Sequence, residues 1–292
     1  MKLFRIIARY LRLQLLASFA TNYFLTLLAV ELFNPAAPVH VSILYASLLF
    51  ACILCLGLMK NSIYFSSRHY QKLQSGDLFA IFTNVYEQAQ ANDPILPRHV
   101  TLYVNLKDNS INAMAMNGSH IVVTKGLADL VVQAKGTEVE DDTVLMTKGT
   151  LAHELGHLAH RDVYAAILTE ASNVVIDLVL YGVYHVIRFF ALLFFGWMPV
   201  IGKIANWMCN TLYKLVAFII SVLNHLFSLL TAKSEELKAD AYSARLGLGE
   251  GIIILLDTFS EEQRGIRDWW YDPHPSNQKR TENIRSIEKT LQ

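Results

Sequence analysis

The chain has 292 residues, enough for one large domain or for a modest domain joined to membrane segments. Its 25 Lys and Arg balance its 25 Asp and Glu, so net charge gives no sign of a nucleic-acid partner. Hydrophobic residues make up 53%, high for a soluble enzyme, and the three cysteines all lie in or beside apolar tracts, which excludes a disulfide-stapled secreted scaffold.

The first element is an apolar run, Leu13–Phe33, preceded by Lys2, Arg5, Arg9 and Arg12. A second, Val41–Met59, holds no charged residue. A hydrocarbon core about 30 Å thick takes roughly 20 apolar residues in a helix, so both runs can span one. The breaker-rich Asn34–Pro38 link leaves room only for a hairpin turn. A basic start followed by an apolar run is also the form of a signal peptide. The length of this run and the second one directly after it favour the hairpin. Lys60, Arg68 and Lys72 follow the second run, while Asn34–His40 contains no Lys or Arg. The positive-inside rule therefore places the N-terminus and the 60–160 region in the cytoplasm.

Ser66–Asn92 reads as helical and is closed by Asp93-Pro94. His99–Asn105 alternates Val100, Leu102 and Val104 like a half-buried strand. Ile111–Met116 and His120–Thr124 follow, separated by Asn117-Gly118-Ser119, a hairpin signal because such a turn needs positive φ. A helix is expected from Gly126, then an exposed acidic loop over Lys135–Thr143, then a longer helix from near Thr143.

That longer helix carries His153-Glu154-Leu155-Gly156-His157. Positions i and i+4 share one helical face about 6 Å apart, so both imidazoles can reach one metal ion. Glu154 is turned by about 100°, which suits a general base beside a metal-held water better than a ligand. The plain alternative is a helix with two surface histidines. His160 lies too far along the axis to share the same ion and suits a supporting or surface position.

Two later apolar tracts, 173–197 and 207–230, read as a second hairpin that spans or lies in the membrane. Asp177, Tyr181, His185 and Arg188 line one face of the first tract, and Asn210, Lys214, Ser221 and His225 share a face of the second. These polar stripes pack together, snorkel, or line a path. Next comes Glu236-Leu237-Lys238-Ala239-Asp240, expected to open a helical stretch. Glu236 can supply the third metal ligand, with Glu235 its neighbouring alternative, and Asp240 can accept a hydrogen bond from a ligand histidine.

Taken together these motifs resemble the HtpX-type membrane zinc metalloproteases, gluzincins related to the CAAX prenyl proteases. Asn112-Ala113-Met114-Ala115 looks like that family's N-A-x-A strand, and His274-Pro275 with Arg280 looks like its C-terminal H-P-x-x-x-x-R element. Ala232-Lys233-Ser234 departs from the Ser-Arg often found before the glutamate ligand.

The resemblance implies a mainly α, α+β integral membrane protein: two hydrophobic hairpins and a zincin-like domain with a small β-sheet. The expected division is 1–60 and 173–230 for the hairpins, with 61–172 and 231–292 as the two parts of the catalytic domain. It implies one zinc ion per chain on His153, His157 and Glu236, with Asp240 supporting a ligand. Glu154, His274 and Arg280 would act in catalysis, and Asn112, Ala113, Met114 and Ala115 would hold substrate. Unfolded or membrane polypeptides would be cleaved in membrane-protein quality control, at a cell membrane (the inner membrane in a bacterium), with the catalytic part cytoplasmic. A catalytically inactive scaffold of the same fold is the competing reading, and Glu154 argues against it. A transporter module fits poorly with only four candidate spans.

Overall fold

The computed structural model describes residues 13–67, 70–258 and 274–291. In chain order the elements are α1 (Leu13–Phe33), α2 (Val39–Ser67), β1 (Tyr70–Lys72), α3 (Asp77–Asn92), β2 (Thr101–Asn105), β3 (Ala113–Met116) and β4 (His120–Thr124). They continue as α4 (Lys125–Ala134), α5 (Glu140–His160), α6 (Asp162–Phe195), α7 (Pro199–Arg245), α8 (Gly249–Thr258) and α9 (Asn277–Leu291). The chain is therefore mainly helical with one small mixed sheet.

Two compact units divide it. One combines Leu11–Asn61 with Ala166–Ser228, and the other combines Ser62–Ala165 with Leu229–Gln292. In the first unit, polar side chains meet between apolar helices. Ser18 of α1 contacts Ser172 Oγ of α6 at 2.7 Å and donates to Asn173 Oδ1 at 2.9 Å, with the fully buried Asn22 joining the same cluster. Gly57 lets α2 touch α6, since a Cβ there would stand 2.6 Å from Ala171 Cα. Two stripe residues find partners outside the expected stripes: Asn210 accepts from Tyr184, and Arg188 Nε donates to Asn206 Oδ1 at 2.9 Å. Asp177 and Lys214 remain exposed.

Among the described residues, Val39–Lys60 and Asp162–Phe195 are long and apolar enough to cross a membrane, and Leu15–Glu31 is a shorter apolar helix. Large apolar side chains on them face outward, such as Leu48, Leu56, Phe189 and Phe194. An apolar surface of this kind suits lipid. Lys2, Arg5, Arg9, Arg12 and Arg68, on which the orientation argument rests, lie outside the described residues.

The second unit is built on a four-stranded sheet in the order β1-β2-β4-β3. β2 and β4 run parallel, while β1 and β3 are antiparallel to their neighbours. β3 is thus an edge. Asn117 (φ 48) and Gly118 (φ 69) make the β3–β4 turn with two successive positive φ angles, as the Asn-Gly signal requires. Ile121, Val123, Leu127, Leu151, Leu155 and Leu158 are fully buried in one core between the sheet and helices α3, α4 and α5.

Three expectations need correction. Ser66–Asn92 is not one helix: Tyr70–Lys72 pairs with β2, and α3 begins only after Gly76, whose φ of 98 breaks the helical path. The acidic loop is shorter than expected, because Glu140, Asp141 and Asp142 form the first turn of α5. Carboxylates there meet the positive end of the helix dipole, and Gly136 N–H donates to Glu140 Oε2 at 2.6 Å. Finally, Glu236 and Asp240 do not open a helix. They lie near the end of the 47-residue α7, which runs unbroken because Thr231–Glu235 holds neither Gly nor Pro.

Candidate active site

The site begins with α5. Leu151, Leu155 and Leu158 make its core-facing stripe. His153, two residues beyond Leu151, is turned about 200° from it and shares the other face with His157. Close approach to two other helices depends on glycine. A Cβ on Gly156 would lie 3.0 Å from Ala239 Cα and from Tyr242 Cβ, so α7 crosses α5 between the two histidines. About two turns earlier, a Cβ on Gly149 would lie 2.7 Å from the Gly251 carbonyl carbon, so α8 crosses there.

The crossing of α5 and α7 brings His153, His157 and Glu236 together, with one potential ligand atom from each inside a 4.8 Å span. The two Nε2 atoms are 3.2 Å apart. Glu236 Oε2 is 3.5 Å from His153 Nε2, and Oε1 is 3.4 Å from His157 Nε2. Each imidazole turns its other nitrogen to a carboxylate: His153 Nδ1 to Asp240 Oδ1 at 2.9 Å, and His157 Nδ1 to Asp162 Oδ2 at 2.7 Å. Such pairing fixes the Nδ1–H tautomer and leaves both Nε2 lone pairs converging. Two converging lone pairs and a carboxylate want a cation between them. Glu236 Oε2, buried and without a well-directed hydrogen bond among the described residues, gives the same indication. The donor set therefore fits a divalent metal, and nitrogen and oxygen donors of this kind suit zinc.

Asp240 is fully buried and held by Arg280, which donates from Nε at 2.9 Å and from Nη2 at 2.7 Å. This two-pronged pair is the strong form of a charged hydrogen bond. Arg280 also reaches to 3.7 Å of Glu236 Oε2, and the half-exposed His274 brings Nδ1 to 3.0 Å of that oxygen. Glu154 accepts the Ala115 N–H at 2.6 Å, which ties α5 to the edge strand β3. Thr124 N–H donates to Asn112 O, so Asn112 faces β4, and the alternation of an antiparallel pair turns the Ala113 and Ala115 backbone groups to the open edge. Asn112 Oδ1 accepts the Ala113 N–H at 2.8 Å.

Burial and charge set the protonation of this cluster. Burial lifts the Glu154 carboxyl above its usual range, against the pull of His157 and His153. Burial works against protonated imidazoles, yet Asp162, Glu236 and the surrounding carboxylate charge push His157 up to about 10. Asp240 and Glu236 likewise raise His153. Glu236 is driven far below the carboxylate range, because its contacts with His153, His157 and His274 outweigh its burial. The site thus favours positive charge at its centre, which a divalent cation supplies.

Of the residues expected from sequence, these contacts bring together His153, His157, Glu236, Asp240, His274 and Arg280, while Glu154 meets Ala115, the last residue of Asn112–Ala115. His160 stands outside these contacts, at the end of α5 with its ring edge-on to Tyr242. Asp162, the partner of His157, was not anticipated. An acid at the start of an apolar tract reads as a helix-start residue, and only its spacing of five from His157 hinted otherwise.

A helical, small-sheet protein with two histidines and a glutamate on crossing helices, and a second glutamate beside them, has the build of a metallopeptidase. The model of peptidase family M48 matches residues 72–288, and the chain belongs to that family. This agrees with the resemblance drawn from the motifs. Among solved structures, the chain is similar to S. mikatae Ste24p at 14% identity with a TM-score of 0.49, covering 91% of this chain and 62% of that one. The chain therefore spans less than two thirds of Ste24p. Comparison with curated proteins gives no match.

Proposed function

We propose that the protein is a membrane-anchored, zinc-dependent endopeptidase that cleaves polypeptide chains. The observation that carries the reading is the meeting of His153, His157 and Glu236 within 4.8 Å, with Glu154 fixed beside them on the Ala115 N–H. His153, His157 and Glu236 would hold one zinc ion. When bound, zinc supplies Lewis acidity towards water and the peptide carbonyl.

The chain's own residues do the rest. Glu154 takes a proton from the attacking water and delivers it to the leaving amine. Its place against β3 sets it between the metal ligands and an extended substrate lying on that edge. Ala113 and the Ala115 carbonyl offer outward backbone groups for strand pairing, the Ala115 N–H being held by Glu154, and Asn112 and Met114 flank them; such pairing selects extended chain with little side-chain preference. His274, exposed beside Glu236, is suited to donate to the carbonyl oxygen as negative charge develops. Arg280 acts through Asp240, holding the carboxylate that orients His153 while adding positive charge near Glu236.

The wider reading is a multi-pass membrane enzyme with its catalytic part in the cytoplasm, acting on unfolded or membrane proteins in quality control. The apolar helices and the sequence-independent edge β3 support it.

The test is purification of the full chain in detergent, metal analysis, and cleavage of casein with and without a chelator. The expected result is about one zinc per chain and cleavage that stops with chelator and returns with zinc. E154Q should keep its zinc and lose roughly 10²–10⁴-fold in rate. Undiminished cleavage by E154Q or by metal-stripped protein would overturn the proposal.

A further inference from the structure

The joint between α5 and α6 has a specific geometry. Had α5 run on unbroken, residue 162 would lie about 140° around the axis from His157. Arg161 instead takes a left-handed conformation (φ 63), its N–H bonded back to His157 O and Leu158 O. The reversal returns the next residue to the histidine face, where the buried Asp162 puts Oδ2 2.7 Å from His157 Nδ1. Side chains brace this joint. Arg161 Nη2 donates to Ile95 O at 3.1 Å, and its guanidinium lies 5.5 Å from the Tyr164 ring centroid. Tyr164 in turn covers the β3–β4 turn so closely that a Cβ on Gly118 would overlap its ring, at 2.1 Å.

We infer that Asp162 is a positioning residue for His157, and that the left-handed joint at Arg161 is what delivers it. By accepting the Nδ1 hydrogen, Asp162 keeps the His157 Nε2 lone pair turned towards His153 and Glu236. The inference rests on the zinc-peptidase reading. It adds that His157, like His153, depends on a buried carboxylate, here supplied by the residue that opens α6.

The test uses the full chain in detergent, with zinc affinity measured against a competing chelator, the visible spectrum of the cobalt-loaded protein, and kcat and KM read separately. D162A should bind zinc roughly 10–100-fold more weakly, with an altered cobalt spectrum, a lower kcat and an unchanged KM. D162N, which keeps an acceptor oxygen, should recover most of the loss. R161G and R161V both remove the guanidinium, but only glycine accepts positive φ readily, so R161G should hold zinc more tightly than R161V. Folded D162A with parental zinc affinity overturns the inference. If D162A does not fold, equal zinc affinity in R161G and R161V overturns it. A parent that binds no zinc overturns the peptidase reading itself, whereas failure of the D162A prediction in a zinc-binding parent removes only the role of Asp162.

Discussion

Gly156 and Ala239 touch backbone to backbone: a side-chain carbon on the glycine would stand 3.0 Å from the alanine Cα. Both histidines lie on the glycine's helix, and Glu236 and Asp240 lie on the alanine's. The separation of the two helices at this crossing sets whether the glutamate can reach the imidazoles.

Widening the crossing should therefore release the metal. Ala239 is fully buried, and Ala239→Leu adds three carbons where the facing helix leaves no room. Overpacking of this kind costs about 1–3 kcal/mol, and part of the strain is relieved by moving α7 away from α5. We expect a lower melting temperature and a loss of zinc affinity larger than that of Ala239→Gly, which removes volume and costs about 1 kcal/mol of helix propensity. Zinc titration of the two purified variants checks this, and equal affinities would show that the spacing does not control the site.

The choice of Glu236 over its neighbour is a second prediction. Glu236, not Glu235, lies within reach of both Nε2 atoms. Glu236→Gln should lose bound zinc and cleavage together, since a neutral amide is a poorer ligand. Glu235→Gln should keep both. Metal analysis of the two proteins, purified side by side, reads the answer directly, and the opposite pattern would move the ligand by one residue.

How much of this site was legible in the sequence depends on distance along the chain. His153 and His157 are separated by one helical turn, so local periodicity alone predicts their shared face. The β3–β4 turn was equally plain, because Asn117 and Gly118 supply the two positive φ angles by composition. β1 was not legible: three residues are too few for alternation to register, and only pairing with β2 makes them a strand. The grip of Arg280 on Asp240 joins residues 40 positions apart. A carboxylate near a motif histidine suggests a hydrogen bond, but nothing local says which cation will neutralise it. The role of Gly156 was hidden for a related reason, since glycine inside a helix reads as a cost until the facing helix is known.

Acidity offers a third prediction with two opposed signs. Burial alone would lower the His157 pKa, but Asp162, Glu236 and neighbouring carboxylate charge carry it from 6.5 to about 10. A group raised on folding contributes stability that is fully present below pH 6.5 and is lost as pH rises through about 10. Metal-free protein should thus lose stability over that window. Zinc must displace the same proton, so its apparent affinity should climb over the window, by up to about tenfold per pH unit for each proton displaced. Thermal melts of chelator-treated protein and zinc titrations at several pH values would show the opposed trends. Zinc affinity that is flat with pH would mean that no proton is displaced.

The last prediction concerns how an extended substrate is held. β3 is the sheet's edge, and Ala113 turns its N–H and C=O to the open side while Met114 is paired with Val122 of β4. Ala113→Pro removes one outward donor and fixes φ without deleting a hydrogen bond of the β3–β4 ladder. The bond lost is the local one to Asn112 Oδ1, and the zinc ligands on α5 and α7 are untouched. If substrate adds a strand to this edge, the variant should fold, carry zinc as the parent does, and cleave unfolded protein far more slowly. A short peptide too small to pair along β3 should be affected less, because its binding relies on the groups nearest the metal. Comparing casein with such a peptide separates loss of strand pairing from damage to the centre. Equal slowing on both substrates would point to a disturbed Glu154, whose anchor Ala115 lies two residues away. Normal casein cleavage by folded, zinc-loaded A113P would mean that substrate is held by another surface.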